Sequence, residues 1–424
     1  MTETPITANK QDIAILVGLN SDVLPQNERS TDETLDELEA LLETAGGTSV
    51  ARVLQNRNSP DPRTFIGTGK AQEIKELCEN ESADLVVFDN ELSPSQARAL
   101  EDEIGVRVLD RAGLILDIFA TRANTREGRL QVELAQYKYL LPRLTRMWTH
   151  LGRQAGTSAP IGTRGPGETQ LETDRRHIRR KITKLEEELD EVRRTRATQR
   201  RARERNNVPV LALVGYTNSG KSTLLNLLSG AGIPARDRLF DTLDTTTRRI
   251  AVTDSMDALL SDTVGFIRKL PHHLVDAFRA TLEELRYADV ILHVIDSSNP
   301  LWREQAAVTD ELIEQLECSE TPRIEIFNKI DLNPSENLPR HDRAVEISAK
   351  TGEGIDKLLQ LLGKILEESS VRATLRIPYD RAGLVEELYA SKLAQTSRYE
   401  EDGVYVDCVL DAVSRGKYKE YVVS

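Results

Sequence analysis

Gly215-Tyr216-Thr217-Asn218-Ser219-Gly220-Lys221-Ser222-Thr223 completes a GxxxxGK[ST] pattern, whose residue types and spacing suit the cradling of phosphates. Glycines let the backbone turn its N–H groups toward a polyphosphate, and the N-terminus of a following helix adds positive potential. Lys221 is the candidate contact to the β- and γ-phosphates, and the Ser222 hydroxyl is the candidate Mg²⁺ ligand. Three shorter groups follow in order. Asp262-Thr263-Val264-Gly265 offers a carboxylate for a magnesium-bound water and a glycine N–H for the γ-phosphate. Asn328-Lys329-Ile330-Asp331 offers a second carboxylate, able to accept from guanine N1–H and the 2-amino group; adenine presents neither donor. Ser348-Ala349-Lys350 can present backbone N–H to guanine O6. Each of the last two is weak alone, but four in this order imply a guanine-nucleotide site with GTP as substrate and Mg²⁺ as cofactor.

Between the phosphate loop and Asp262 lies Phe240-Asp241-Thr242-Leu243-Asp244-Thr245-Thr246-Thr247-Arg248-Arg249. This hydroxyl-rich loop is expected to supply a switch threonine that completes the Mg²⁺ shell only while the γ-phosphate is present. Spacing does not choose among its four threonines. Where Ras-type enzymes carry a water-orienting glutamine, this chain has Phe266. A phenyl ring cannot orient water, so slow intrinsic turnover and a partner that completes the site are expected. Asn218 resembles the asparagine of potassium-activated GTPases, so a K⁺ ion could supply the missing charge. A second glycine-rich group, Gly67-Thr68-Gly69-Lys70, lacks the upstream glycine of a phosphate loop and reads as a turn opening a helix.

These groups need a scaffold. Apolar runs at Val210–Val214, Arg249–Val252, Ala258–Leu260, Val290–Ile295, Ile324–Phe327 and Val345–Ile347, mostly separated by helical segments, give the alternation of a doubly wound, mostly parallel sheet. Each motif falls at the end of one of these candidate strands. Residues 12–121 alternate similarly, with strands at Ile13–Val17, Val50–Leu54, Leu85–Phe88 and Val106–Leu109 and helices near 34–44, 69–78, 94–104 and 112–121. The last segment offers a strand at Ala373–Ile377, a helix at Leu384–Leu393, a strand at Val404–Leu410 and a short terminal helix. The expected architecture is a multidomain α/β protein: an N-terminal α/β domain (1–125), a basic helical hairpin (126–206), a P-loop GTPase domain (207–368) and a small C-terminal α+β domain (369–424).

The hairpin is where charge concentrates. The 424-residue chain carries a net charge of -13, yet residues 121–210 hold 21 Lys and Arg against 11 Asp and Glu, so this module is +10 and the remainder -23. Helix is expected from Glu127, interrupted at Pro142 and by Gly162-Thr163-Arg164-Gly165-Pro166-Gly167. In the second helix Ile178, Ile182, Leu185, Leu189 and Val192 recur at the spacing of an a/d seam, while Arg175, Arg176, Arg179, Arg180, Arg193, Arg194 and Arg196 fall largely off it. Two readings of that arginine-rich face stay open: a solvated surface paired with Glu186, Glu187, Glu188 and Glu191, or contact with RNA phosphates. The tip loop, residues 157–169, has almost nothing apolar to pack and is expected to reach a partner, whereas the polar basic run Arg200–Asn207 reads as a linker.

Composition sets outer limits. With 39% hydrophobic and 29% charged residues the chain is an ordinary globular sequence, and no run approaches the length of a bilayer-spanning helix. A cytoplasmic protein without an integral membrane segment is expected. Cys78, Cys318 and Cys408 are odd in number and widely spaced, which argues for reduced thiols over disulfides or a zinc site.

Taken together, the stretches GYTNSGKST (215–223), DTVGFI (262–267) and RGPGETQLETDRR (164–176), with the helical hairpin, resemble the HflX family of ribosome-associated GTPases over nearly the whole length. The resemblance implies Thr242 as the switch threonine, binding Mg²⁺ with Ser222, and nucleotide contacts from Phe240, Asp241, Thr242, Leu243 and Asp244. Lys221, Thr242 and Gly265 are the expected catalytic groups. It also implies binding of the large ribosomal subunit through its RNA, and splitting of stalled or idle ribosomes. A monomer with no DNA partner is expected. An assembly factor for immature subunits shares every motif, and a GTP-dependent switch for a protein partner is the further alternative.

Overall fold

The computed structural model describes residues 12–144, 166–204, 208–230, 239–240, 242–243, 246–254, 256–270, 283–332, 338–369, 371–391, 393–410 and 418–423. The chain divides into two compact units. The first comprises Met1–Glu191, Arg236–Asp244 and Ile267–Arg279; the second comprises Val192–Ala235, Thr245–Phe266 and Ala280–Ser424.

In the first unit, strands β1 (Ile13–Asn20), β2 (Thr48–Asn56), β3 (Leu85–Phe88) and β4 (Arg107–Asp110) form a sheet of order β2-β1-β3-β4, every pair parallel. A parallel pair needs a crossover, and α1 (Asp32–Ala45), α2 (Thr68–Glu81) and α3 (Pro94–Ile104) supply the crossovers, with α4 (Arg111–Arg122) following β4. Central strands buried on both faces read as continuous apolar runs, as β1 and β3 do. Helix starts are written locally. Thr31 and Thr34 exchange capping hydrogen bonds ahead of α1, and Ser93 and Gln96 do the same ahead of α3. Helix α2 opens directly after Gly67, as the Gly67–Lys70 reading requires.

Helices α5 (Arg126–Arg143) and α6 (Pro166–Glu204) are joined by Lys138–Glu186 at 2.8 Å, by Arg126–Glu188 at 3.8 Å and by a Lys181 hydrogen bond to the Tyr137 hydroxyl at 2.7 Å. The seam residues turn inward: Leu185 and Leu189 are buried, and Ile178, Ile182 and Val192 are half-buried. Each buried leucine contributes roughly 1.5–3 kcal/mol, enough to fix the face. Arg176, Arg179, Arg180, Arg193 and Arg194 are exposed. Two boundaries differ from expectation. Helix α5 passes through Pro142 and ends one residue later, because a proline in the last turn forfeits a single intrahelical bond. Helix α6 begins at Pro166 and so includes Gly167; proline suits a first helical position, where its missing N–H has no partner to lose. It also runs to Glu204, through most of the expected linker. The tip of the hairpin before Pro166 lies outside the described residues.

The second unit carries a six-stranded sheet of order β10-β9-β8-β5-β7-β6, from β5 (Val210–Val214), β6 (Thr246–Thr253), β7 (Met256–Asp262), β8 (Val290–Asp296), β9 (Arg323–Asn328) and β10 (Ala344–Glu346). Only β6 is antiparallel, paired with β7. Helices α7 (Lys221–Ser229), α8 (Trp302–Gln315) and α9 (Ile355–Ser369) accompany it, and Leu211, Leu213, Leu260, Leu292, Ile326 and Leu362 sit in its core. After it, β11 (Val371–Ile377), β12 (Ala394–Glu400) and β13 (Gly403–Leu410) form an antiparallel sheet of order β11-β13-β12 with α10 (Gly383–Ala390). Strand β12 was not expected. It is a largely exposed edge strand, AQTSRYE, whose polar sequence carries no apolar alternation. Among the described residues, no helix is long and apolar enough to cross a membrane.

Candidate guanine-nucleotide site

The motifs of the second unit converge because parallel strands place their carboxyl ends together. Leu213 of β5 lies beside Asp262 of β7, Val214 beside His293 of β8, and Asp296 of β8 beside Asn328 of β9. The loop Gly215–Gly220 leaves β5 and enters α7 at Lys221. Its backbone is demanding. Gly215 has φ +151° with a would-be Cβ 2.2 Å from the Val294 carbonyl oxygen, and Gly220 has φ +98° with one 2.2 Å from Asn328 Nδ2. Both glycines are therefore required by close approach. Asn218 is left-handed at φ 61°, a conformation asparagine tolerates better than most residues.

Lys221 is buried, and its Nζ donates to the Gly215 and Tyr216 carbonyls at 3.0 and 2.7 Å. Burial pushes its pKa down to about 8, against the pull of Asp262, with Lys329 lowering it further. Ser222 Oγ donates to Asp262 Oδ2 at 2.7 Å, and Thr263 Oγ1 donates to the Leu213 carbonyl at 2.7 Å. The phosphate loop is stitched to the segment after β7: Thr217 N–H donates to the Phe266 carbonyl at 2.7 Å and Phe266 N–H to the Gly215 carbonyl at 3.1 Å. Phe266 is buried, so the position of the missing glutamine is closed by both ring and backbone. A Cβ on Gly265 would lie 2.9 Å from Thr217 Cα and 3.1 Å from Lys221 Nζ, so only glycine fits against the loop.

At the other end, Asn328 Nδ2 donates to the Ser219 carbonyl at 2.8 Å while its Oδ1 accepts from Ala349 N–H at 2.9 Å. One side chain thereby ties together the phosphate loop, the NKID segment and the SAK segment. Asp331 accepts from Ser348 Oγ at 2.7 Å, and Lys329, left-handed at φ 66°, pairs with Asp296 at 2.8 Å. Lys350 is exposed. Sequence reasoning missed two supports at the end of β8. Besides Asp296, the buried Ser297 donates to the Asn328 carbonyl at 2.7 Å. Their signal was available in Asp296-Ser297-Ser298, polar residues ending an apolar strand that neighbours the NKID strand.

Of the switch loop, Phe240, Thr242 and Leu243 are described within the first unit, and Thr246, Thr247, Arg248 and Arg249 as the start of β6 in the second. Phe240 and Leu243 are buried, and Phe240 stacks edge-on against Phe119 of α4 with centroids 4.7 Å apart. Asp241 and Asp244 lie outside the described residues. The donor set of the second unit suits a Mg²⁺–nucleotide: the Ser222 hydroxyl and the neighbouring Asp262 carboxylate offer hard oxygen donors for the ion and its water, and the glycines at 215, 220 and 265 leave no Cβ in the cradle.

A mostly parallel sheet with a GxxxxGK[ST] loop after β5, and the NKID and SAK segments after β9 and β10, defines a P-loop GTPase. Family models match along most of the chain: GTP-binding GTPase N-terminal over residues 32–120, GTP-binding GTPase Middle Region over 122–203, 50S ribosome-binding GTPase over 210–329 and HflX C-terminal domain over 335–414. The GTPase HflX of Caldanaerobacter subterraneus subsp. tengcongensis is 43% identical over 418 residues, 98% of this chain and 95% of that protein. The GTPase HflX of Escherichia coli is 46% identical over 378 residues, 88% of each. A GTP-binding protein from Sulfolobus solfataricus, solved in complex with GDP, is 25% identical at a TM-score of 0.44, covering 84% of this chain and 98% of that one. The chain belongs to the HflX family of GTPases.

Proposed function

We propose that this GTPase binds the large ribosomal subunit and uses GTP to split stalled or idle ribosomes, working as a monomer in the cytoplasm. The observation that carries the reading is the hairpin. Its seam is packed while Arg176, Arg179, Arg180, Arg193 and Arg194 face solvent, a basic surface suited to RNA phosphates on an otherwise acidic chain. The matched family model, described as a 50S ribosome-binding GTPase, supports the same partner.

In this reading the loop 215–222 cradles the phosphates, with Lys221 on the β- and γ-phosphates. Ser222 and Thr242 would hold Mg²⁺, which would neutralise charge on the phosphates, and Asp262 would order one of its waters. Gly265 N–H meets the γ-phosphate, Asp331 reads guanine N1–H and the 2-amino group, and Asn328 braces the pocket. Ala349 N–H now donates to Asn328 Oδ1, so guanine O6 must take over that donor or use Lys350 N–H. Because Phe266 is sealed against the phosphate loop, the water-positioning group comes from the partner. Asn218 resembles the asparagine of potassium-activated GTPases and in this scheme helps a K⁺ ion at the phosphates; equal turnover in KCl and NaCl would remove that ion from the scheme. The test of the whole reading is GTP turnover with and without purified large subunits, with Lys221→Ala as control. A large, mutation-sensitive stimulation is expected; unchanged turnover with GTP still bound would overturn the ribosomal role.

A further inference from the structure

Asp110 ends β4 and opens α4, and its buried carboxylate does more than cap that helix. Besides Gly113 N–H at 2.9 Å and Leu92 N–H at 3.3 Å, it accepts from the Tyr139 hydroxyl at 2.8 Å and from Arg143 Nη2 at 2.7 Å. The last two donors belong to the end of α5, the first helix of the hairpin. The same Arg143 nitrogen donates to the Leu92 carbonyl at 3.1 Å, and the guanidinium lies 3.5 Å from the centre of the Tyr139 ring. Burial first, then the Asp110 charge, raises the Tyr139 pKa, so the phenol keeps its proton and remains a donor. The fit is close, since a Cβ on Gly113 would stand 2.8 Å from the Tyr139 hydroxyl oxygen. One carboxylate thus gathers the segment before α3, the start of α4 and the end of α5, all within the first unit.

Leu130, Leu134 and Ala135 give α5 a buried apolar face, but apolar burial is non-directional and leaves the helix free to tilt or slide. Charge-assisted hydrogen bonds are directional and stronger than neutral ones. Next to them along α5, Tyr137 and Lys138 make the hydrogen bond to Lys181 and the ion pair to Glu186 that carry α6. Those two ties are exposed and weak, so the direction of the pair is set at Asp110. From Lys181 back to its start at Pro166, α6 runs on for roughly 15 residues, or about 22 Å at about 1.5 Å per residue. A tilt of about 10° at the base moves that end by about 4 Å, far more than a hydrogen bond tolerates. Arg176, Arg179 and Arg180 stand exposed on this stretch.

We propose that Tyr139 and Arg143 are positioning residues for partner binding: seated on Asp110, they fix the direction in which the hairpin leaves the N-terminal α/β domain and so hold the arginine face of α6 ready for RNA phosphates, without touching RNA themselves. The inference rests on the reading that this face binds the large ribosomal subunit. Loss of the seat leaves the arginines in place but spreads their orientations, and apparent affinity falls by the fraction of molecules still in the binding-ready orientation.

The test titrates purified large ribosomal subunits against GTP turnover of the full chain at several salt concentrations. Gly113→Ala presses a methyl on the Tyr139 hydroxyl and displaces it from Asp110 while removing no polar group. Tyr139→Phe combined with Arg143→Met removes both donors and keeps their packed stems. Each variant is expected to raise the half-saturating subunit concentration about tenfold, as when the binding-ready orientation falls to about a tenth of the population. Basal turnover, GDP affinity and the slope of affinity against salt should stay as in the wild type. Arg179→Ala, which removes a phosphate contact in this reading, should instead lower the salt slope by about one. Spin labels at Glu79→Cys on α2 and Asp174→Cys on α6 should show a broader distance distribution in the Gly113 and Tyr139/Arg143 variants. Gly113→Ala adds a good helix former inside α4 and serves if the double variant does not fold. Unchanged half-saturation in a folded variant, or a parallel loss of GDP affinity, would overturn the proposal. A salt slope lowered by Arg143→Met alone would make Arg143 a phosphate contact and overturn it too. A wild type that ignores the subunits, with the label distances still broadened in the variants, would sink the ribosomal reading and the partner role of the clamp with it.

Discussion

Asn328, at the end of β9, donates its side-chain amide to the Ser219 carbonyl at 2.8 Å, fastening the strand that leads into the NKID segment to the GxxxxGK[ST] loop. The would-be Cβ of Gly220 lies only 2.2 Å from that amide nitrogen, so the bridge and the glycine are mutually dependent.

Asn328→Ala leaves the buried Ser219 carbonyl and Ala349 N–H without their partner. At about 1–3 kcal/mol for such groups, nucleotide affinity should fall about ten- to a hundredfold. Titration calorimetry with GDP checks this. Retained wild-type affinity would mean that the bridge does not hold the pocket.

Lys221 has a pKa lowered to about 8 by burial, and phosphate contact must favour its charged form. The pKa therefore rises on binding. Above about pH 8 the free protein has lost a proton that the complex regains, so nucleotide affinity should decline as pH rises and binding should take up a proton. Calorimetry in buffers of different ionisation enthalpy reads that uptake directly; no buffer dependence at pH 9 would contradict it.

Gly265→Ala drives a methyl to 2.9 Å from the Thr217 backbone and 3.1 Å from Lys221 Nζ. The strand-end segment must retreat, and with it the N–H proposed for the γ-phosphate. GTP turnover should drop by about 10²-fold or more, the scale of losing one preorganised donor, with GDP affinity much less affected. Single-turnover rates beside GDP dissociation constants make the comparison.

His293 on β8 is fully buried, and neither ring nitrogen has a hydrogen-bond partner among the described residues; Asp310 Oδ1 approaches Nδ1 only to 3.5 Å. Burial first, then Arg323 and Lys221, push its pKa from 6.5 to about 3. Below about pH 6.5 the unfolded chain binds a proton that the folded one refuses, so stability is lost as pH falls, by about 1.4 kcal/mol per unit. His293→Leu should flatten that slope between pH 6 and 4. Denaturant unfolding of the second unit across this range decides the matter, and an unchanged slope would assign the acid sensitivity to other groups.

Sequence alone settled the features whose physics is local. The GxxxxGK[ST] loop and the β/α alternation depend on residues a few positions apart, and the structure has them where their spacing puts them. The seam Ile178–Val192 was legible for the same reason, since one helix period fixes one face. Strand β12 was not legible, because an edge strand is held by backbone pairing to β13 and needs no apolar side chains. Nor were Asp296 and Ser297 as supports of the NKID segment, or the Asn328 bridge, since those partners meet only when parallel strands bring distant carboxyl ends together. The seat of Lys269 on Asp89 is the extreme case. The two are 180 residues apart, and a buried ion pair exists only once a fold has removed water from both charges at one place.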